Sequence, residues 1–148
     1  MADSPNYSGN PSGTERGAQI VGSQHEAHRS DGPGPFLMLA DTLVGNDVVN
    51  HANENLGDIK GIMLDVLRGR IAYAVLSVGG FLGMGTRLFA IPWSALKLDA
   101  DNKRFILDAD KARLEKAPGF DKEHWPMMAD PTWAKQVHSY YGISPYWE

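Results

Sequence analysis

The densest apolar patterning of the chain lies between Gly57 and Trp93. Residues 59–67 are rich in Ile, Leu and Val. Residues 71–78 place Tyr73 and Val75 on one face of an extended chain and Ala74, Leu76 and Val78 on the other. Both runs suit pleated strands, where β-branched and aromatic side chains pack well. Leu67-Arg68-Gly69-Arg70 separates them and predicts a hairpin turn, with Gly69 supplying a positive φ at no Cβ cost. A third strand, residues 87–91, is closed by Pro92, which lacks the N–H that a central ladder needs.

Shorter runs flank this centre. Residues 36–40 open the ordered part, and residues 43–49 read as a first strand, with Gly45 marking a bulge or close backbone approach. Residues 53–57 form a turn by composition. After Pro92, residues 95–98 and 104–107 predict two short strands around the turn 99–102. Asp110 then caps a short helix over 111–116 that Pro118-Gly119 stops. A second helix has Asp130 as cap, Pro131 at its first position and Gly142 after its last turn. Trp133, Val137 and Tyr140 or Tyr141 fall on one of its faces. The expected architecture is mainly β: a small barrel or sandwich followed by short helices.

Residues 1–35 have no such periodicity. Ile20-Val21 is their only adjacent pair of large aliphatics. A segment this polar buries too little apolar surface to offset its ordering entropy, so an unstructured tail is expected. His25 and His28 lie in that tail without further preorganised ligands and are read as solvated.

Bulk composition narrows the function. The chain has 148 residues, a net charge of -4 and no cysteine. Thiolate nucleophiles, disulfides and Cys-based zinc sites are excluded. An acidic chain is a poor general binder of nucleic acid, whose affinity comes from clustered Lys and Arg. No signal peptide is evident and no apolar run approaches the roughly 20 residues that span a bilayer. A cytoplasmic location is expected.

No catalytic set is visible. Asp47, Asp58, Asp65 and Asp108 are not paired by the sequence, and His51, His124 and His138 have no metal-binding spacing. Ser77 and Ser94 lack the context of a nucleophile elbow. The glycine cluster 79–87 has the gap of a phosphate loop but continues Thr86-Arg87 into a strand, where that motif needs Lys, then Ser or Thr, then a helix. It reads first as a connection between strands. The alternative is a small-ligand or anion sensor built from Gly80, Gly83, Gly85 and Arg87. Arg68, Arg70, Arg87 and Lys60 read as a solvated rim.

The C-terminal third holds three of the four tryptophans, Trp125, Trp133 and Trp147. Aromatic side chains are seldom left bare together. With Val137, Tyr140 and Tyr141 they either pack on the barrel's own outside or form an interface with a second copy or another protein.

Residues 43–107 resemble the PRC-barrel family, named after the cytoplasmic part of the photosynthetic reaction-centre H subunit. The resemblance lies in Gly45-x-x-Val48, in Leu56-Gly57-Asp58-Ile59-x-x-Ile62, in Ile71-x-Tyr73-x-Val75-Leu76-Ser77-x-Gly79-Gly80-Phe81-Leu82-Gly83, and in Ile91-Pro92-Trp93. Phe120-Asp121-Lys122-x-x-Trp125-Pro126 and residues 133–141 are similar to the extension of stand-alone bacterial members. The resemblance implies a six-stranded barrel over residues 36–109, a helical aromatic-rich extension over 110–148, and a non-enzymatic protein-binding or assembly module without a cofactor. A homodimer with an unidentified protein partner is expected.

Overall fold

The computed structural model of the chain describes residues 17–21, 37–79 and 85–148. Its elements are β1 (Gln19–Val21), α1 (Ala40–Leu43), β2 (Asp47–Val49), β3 (Asn55–Asp65), β4 (Arg70–Val78), β5 (Arg87–Pro92), β6 (Leu96–Asp99), β7 (Arg104–Leu107), α2 (Lys111–Glu115), β8 (Gly119–Phe120) and α3 (Pro131–Tyr140). All eight strands form one sheet in the order β1-β6-β7-β2-β3-β4-β5-β8.

The six inner strands, β2 to β7, are those the patterning foresees. β5 and β6 stand at opposite ends of that six-strand order, yet only the 3-10 turn Trp93–Ala95 joins them. So short a link forces the sheet to roll until its ends meet. The roll encloses Val48, Leu56, Ile59, Leu76, Phe89, Ile91, Leu96, Phe105 and Leu107. The Trp93 ring meets Phe105 edge-on, 5.8 Å between centroids. The ladder itself stays open among the described residues, because β1 and β8 are its two ends.

Those end strands are departures from the sequence reading. Gln19–Val21 pairs in parallel with β6, Ile20 opposite Leu98, so the expected unstructured tail contains a strand. Gly119–Phe120 adds to β5, Phe120 opposite Leu88. The expected strand over residues 43–49 is also corrected. Its first part is the turn of helix α1, and only Asp47–Val49 is extended. The Gly45 N–H donates to the Ile59 carbonyl at 2.7 Å, and glycine is called for there by a φ of 90° rather than by a close approach, since a Cβ would meet nothing within 4 Å. The turn before β3 sits earlier than expected, where the Asn50 Oδ1 accepts from the N–H groups of Ala52 and Glu54, both at 3.0 Å.

Local punctuation falls where the sequence places it. Gly69 has φ 66° in the β3–β4 turn. Asp110 accepts from the Arg113 N–H and Asp130 from the Thr132 N–H at their helix starts, which satisfies donors that a first turn leaves free.

β4 is buried on both faces. Ala74, Leu76 and Val78 point into the roll, while Ala72, Tyr73 and Val75 point out against α3 and the C-terminal segment. That outer layer is completed by Leu88, Ala90, Phe120 and Val137, with Met63, Met128, Trp133, Tyr141 and Tyr146 packed against it.

Candidate docking site

β3 and β4 form a long hairpin, and its tip stands over the start of α3 and the C-terminal segment. Between them is a cleft of about 440 Å³. Met63, Tyr73, Met128, Ala134, Tyr146 and Trp147 give it an apolar and aromatic lining, with Asp65 and Arg68 as its charged groups. Its size lies within the range of small-ligand and side-chain pockets.

Asp65 organises the rim. Its Oδ2 accepts the Tyr146 hydroxyl at 2.6 Å and Arg68 Nη1 at 2.9 Å, and its Oδ1 accepts the Arg68 backbone N–H at 3.0 Å. The Tyr146 hydrogen bond is the largest of several effects that lower the Asp65 pKa to about 2. Burial, then the bond to Asp65, pushes the Tyr146 phenol up to about 12. Arg70 Nη1 donates to the Tyr146 carbonyl at 3.1 Å, a second tie between hairpin and C-terminal segment.

Below the rim lies an aromatic stack. Tyr73 meets Trp133, His138 and Tyr146 edge-on, at 5.5, 5.4 and 6.5 Å between centroids. His138 also meets Trp147 at 5.3 Å. His138 Nδ1 lies 2.7 Å from the Ala134 carbonyl. A carbonyl only accepts, so that nitrogen carries the proton. Burial lowers the His138 pKa and raises that of Tyr73, whose hydroxyl has no hydrogen-bond partner among the described residues.

The tip is exposed and apolar. Leu64, Val66 and Leu67 are 61%, 87% and 93% exposed, and Met127, next in sequence to the cleft residue Met128, is 74% exposed. Isolated apolar side chains on a surface need no explanation; here three lie within four consecutive residues beside a cleft.

The six aromatic-segment residues expected at an interface divide. Val137 is 1% exposed and is corrected to a core residue, since α3 uses that face to cover β4 and β5 of its own chain. Trp133 is half-buried on Tyr73, and the Tyr141 hydroxyl is buried without a hydrogen-bond partner among the described residues. Tyr140 exchanges hydrogen bonds with Arg113, which also lies over its ring. Trp147 lines the cleft, and Trp125 stays 43% exposed beside Phe120. Of the glycine-loop residues, Gly80 and Gly83 lie outside the described residues. Gly85 is exposed, and Arg87 Nη2 donates to the Gly119 carbonyl at 3.3 Å. Asp47 and Asp58, unpaired in sequence, are register partners on β2 and β3, both exposed. Among the described residues no His, Asp and Glu converge to hold a metal ion.

Sequence reasoning missed Asp65, Tyr146, Met63 and Met128 as neighbours. The aromatic ending was a signal of burial, but nothing in it named the hairpin as its partner.

The family model of the PRC-barrel domain matches residues 37–114, more than half of the chain. The chain belongs to the PRC-barrel family. No curated protein matches this PRC-barrel chain. It is similar to a solved structure described as a 16S ribosomal RNA processing protein, RimM, from Pseudomonas aeruginosa, at 20% identity and a TM-score of 0.36. That match covers 57% of this chain and 49% of the other, so the PRC-barrel chain spans about half of that protein's length. Among its described residues no helix is long and apolar enough to cross a membrane.

Proposed function

We propose that this PRC-barrel chain is a non-enzymatic protein-binding and assembly module, working as a homodimer, with the β3–β4 tip and the adjoining cleft as its contact surface. The observation that carries the reading is the exposure of Leu64, Val66 and Leu67 at the lip of a cleft floored by aromatic side chains. Anchors of this type, set in a pocket and flanked by polar groups, dominate protein contacts. The outer face of β4 and β5 is covered by α3 and the C-terminal segment of the same chain.

The reading is tested with a photo-crosslinking amino acid at Leu67 in the cell of origin, compared with one at Lys97. A specific adduct from position 67, lost in Val66→Lys with an otherwise unchanged fold, supports it. Equal labelling from both positions, with a monomer by light scattering, rejects it.

A further inference from the structure

We propose that the floor of the cleft between the β3–β4 hairpin and the C-terminal segment is a binding site for a small, neutral, mainly apolar molecule that carries a hydrogen-bond acceptor such as a ketone oxygen, with Tyr73 as the donor. This goes beyond the protein contact proposed above, which uses the exposed lip of the cleft and not its floor.

The first observation is an unspent donor. Tyr73 lines the cleft and is 2% exposed, yet its hydroxyl has no hydrogen-bond partner among the described residues. Burying a hydroxyl without a partner is costly, and an acceptor brought to it recovers that cost. Burial also raises the Tyr73 pKa, so the phenol keeps its proton and donates at neutral pH. Of the rings that meet Tyr73 edge-on, Trp133, His138 and Tyr146, only Tyr146 also lines the cleft. The Tyr146 ring therefore separates the hydroxyl from the open cleft. Two hydrogen bonds hold it there, its own hydroxyl on Asp65 and its carbonyl on Arg70. A ligand reaches Tyr73 when the segment after Gly142 shifts aside.

The second observation is the lining. A cleft of about 440 Å³ is large enough for a molecule of one or two rings. Met63 and Met128 stand in its walls, and unbranched methionine side chains adapt to the body that enters. Tyr146 and Trp147 add flat aromatic surface. At the mouth Asp65 and Arg68 neutralise each other at 2.9 Å, and Asp65 is further engaged by Tyr146. The mouth thus presents no net charge to an ionic ligand, and a carboxylate entering it would meet the like charge of Asp65. Those features together select a neutral apolar body with one acceptor.

NMR of the full chain with labelled methionine methyl groups tests the site. Acetophenone is the probe, ethylbenzene has nearly its shape without the oxygen, and benzoate adds a charge. Acetophenone is expected to shift the Met63 and Met128 signals saturably, with a dissociation constant about fivefold below that of ethylbenzene and lower still relative to benzoate. Tyr73→Phe is expected to bring acetophenone to the affinity of ethylbenzene and to leave ethylbenzene unchanged. Because it deletes an unpartnered hydroxyl, the same variant should hold or raise the Tm of the free chain, which also establishes that it is folded. No saturable shift, equal affinity for acetophenone and ethylbenzene, or tighter binding of benzoate overturns the site and leaves the protein contact at the tip standing. A Tyr73→Phe chain less stable than its parent shows the hydroxyl already satisfied by bound water, and overturns it as well.

Discussion

The hydroxyl of Tyr146 donates to Asp65 Oδ2 at 2.6 Å, joining the two residues across 81 positions of the chain. The bond pins the C-terminal segment to the hairpin tip and sets one wall of the cleft. Tyr146→Phe keeps the ring's packing on Tyr73 and removes only the bond. It is expected to cost about 1–3 kcal/mol, because the acceptor is charged. In an NMR titration the Asp65 carboxyl should move up from about 2 toward the ordinary carboxylate range. An unmoved Asp65 would mean that Arg68 alone holds it.

Acid sensitivity should come in two separate windows. His138 has a lowered folded pKa, so the folded state binds fewer protons than the unfolded chain once the pH falls below the ordinary value of 6.5. Its contribution is complete above that value and declines as the pH drops below it. Asp65 is also lowered, from 3.8 to about 2, so its contribution is complete above the unfolded value and lost between about 4 and 2. A series of Tm against pH should therefore fall first below pH 6.5 and again below pH 4. Replacing His138 with Gln should abolish the first step and leave the second.

Val137 separates core from interface. It is 1% exposed within a single chain. Val137→Ala removes buried methyl groups and is expected to cost about 1–3 kcal/mol in chemical denaturation, with the oligomeric state by light scattering unchanged. Dissociation without loss of monomer stability would place α3 at a subunit contact instead.

Two glycines of the same strand should respond in opposite ways. Gly57 has φ 150°, and a Cβ there would lie 2.2 Å from the Ser77 carbonyl oxygen. Backbone cannot step aside as a flexible side chain does, so Gly57→Ala should cost about 4 kcal/mol or more, or fail to fold. Gly61 has an ordinary φ and empty space around it. Gly61→Ala should change stability by less than about 1 kcal/mol. Matched denaturation curves of the two variants make the comparison.

How much of this was readable in advance follows from the range of each interaction. The hairpin turn at Gly69 and the helix caps at Asp110 and Asp130 were legible, because a positive φ or an unsatisfied N–H is decided by residues a few positions away. The strand β1 was not. Ile20-Val21 is too short a run to stand out, and it becomes a strand only because β6 offers it an edge. The cleft was half legible: the exposed Leu67 and Arg68 of the tip were recognised as a turn, and the aromatic ending as something needing cover.

By itself the order of amino acids determined the existence of the six inner strands, the β3–β4 and β6–β7 turns and the cysteine-free composition, since alternation, glycine and proline act locally. Tertiary structure alone decided that α3 lies on the outer face of β4 and β5, that Tyr146 reaches Asp65, and that among the described residues β2 pairs with β3 only over residues 55–58. Those outcomes depend on which apolar faces meet when the sheet rolls, and periodicity along a chain says that a face is apolar without saying what will cover it.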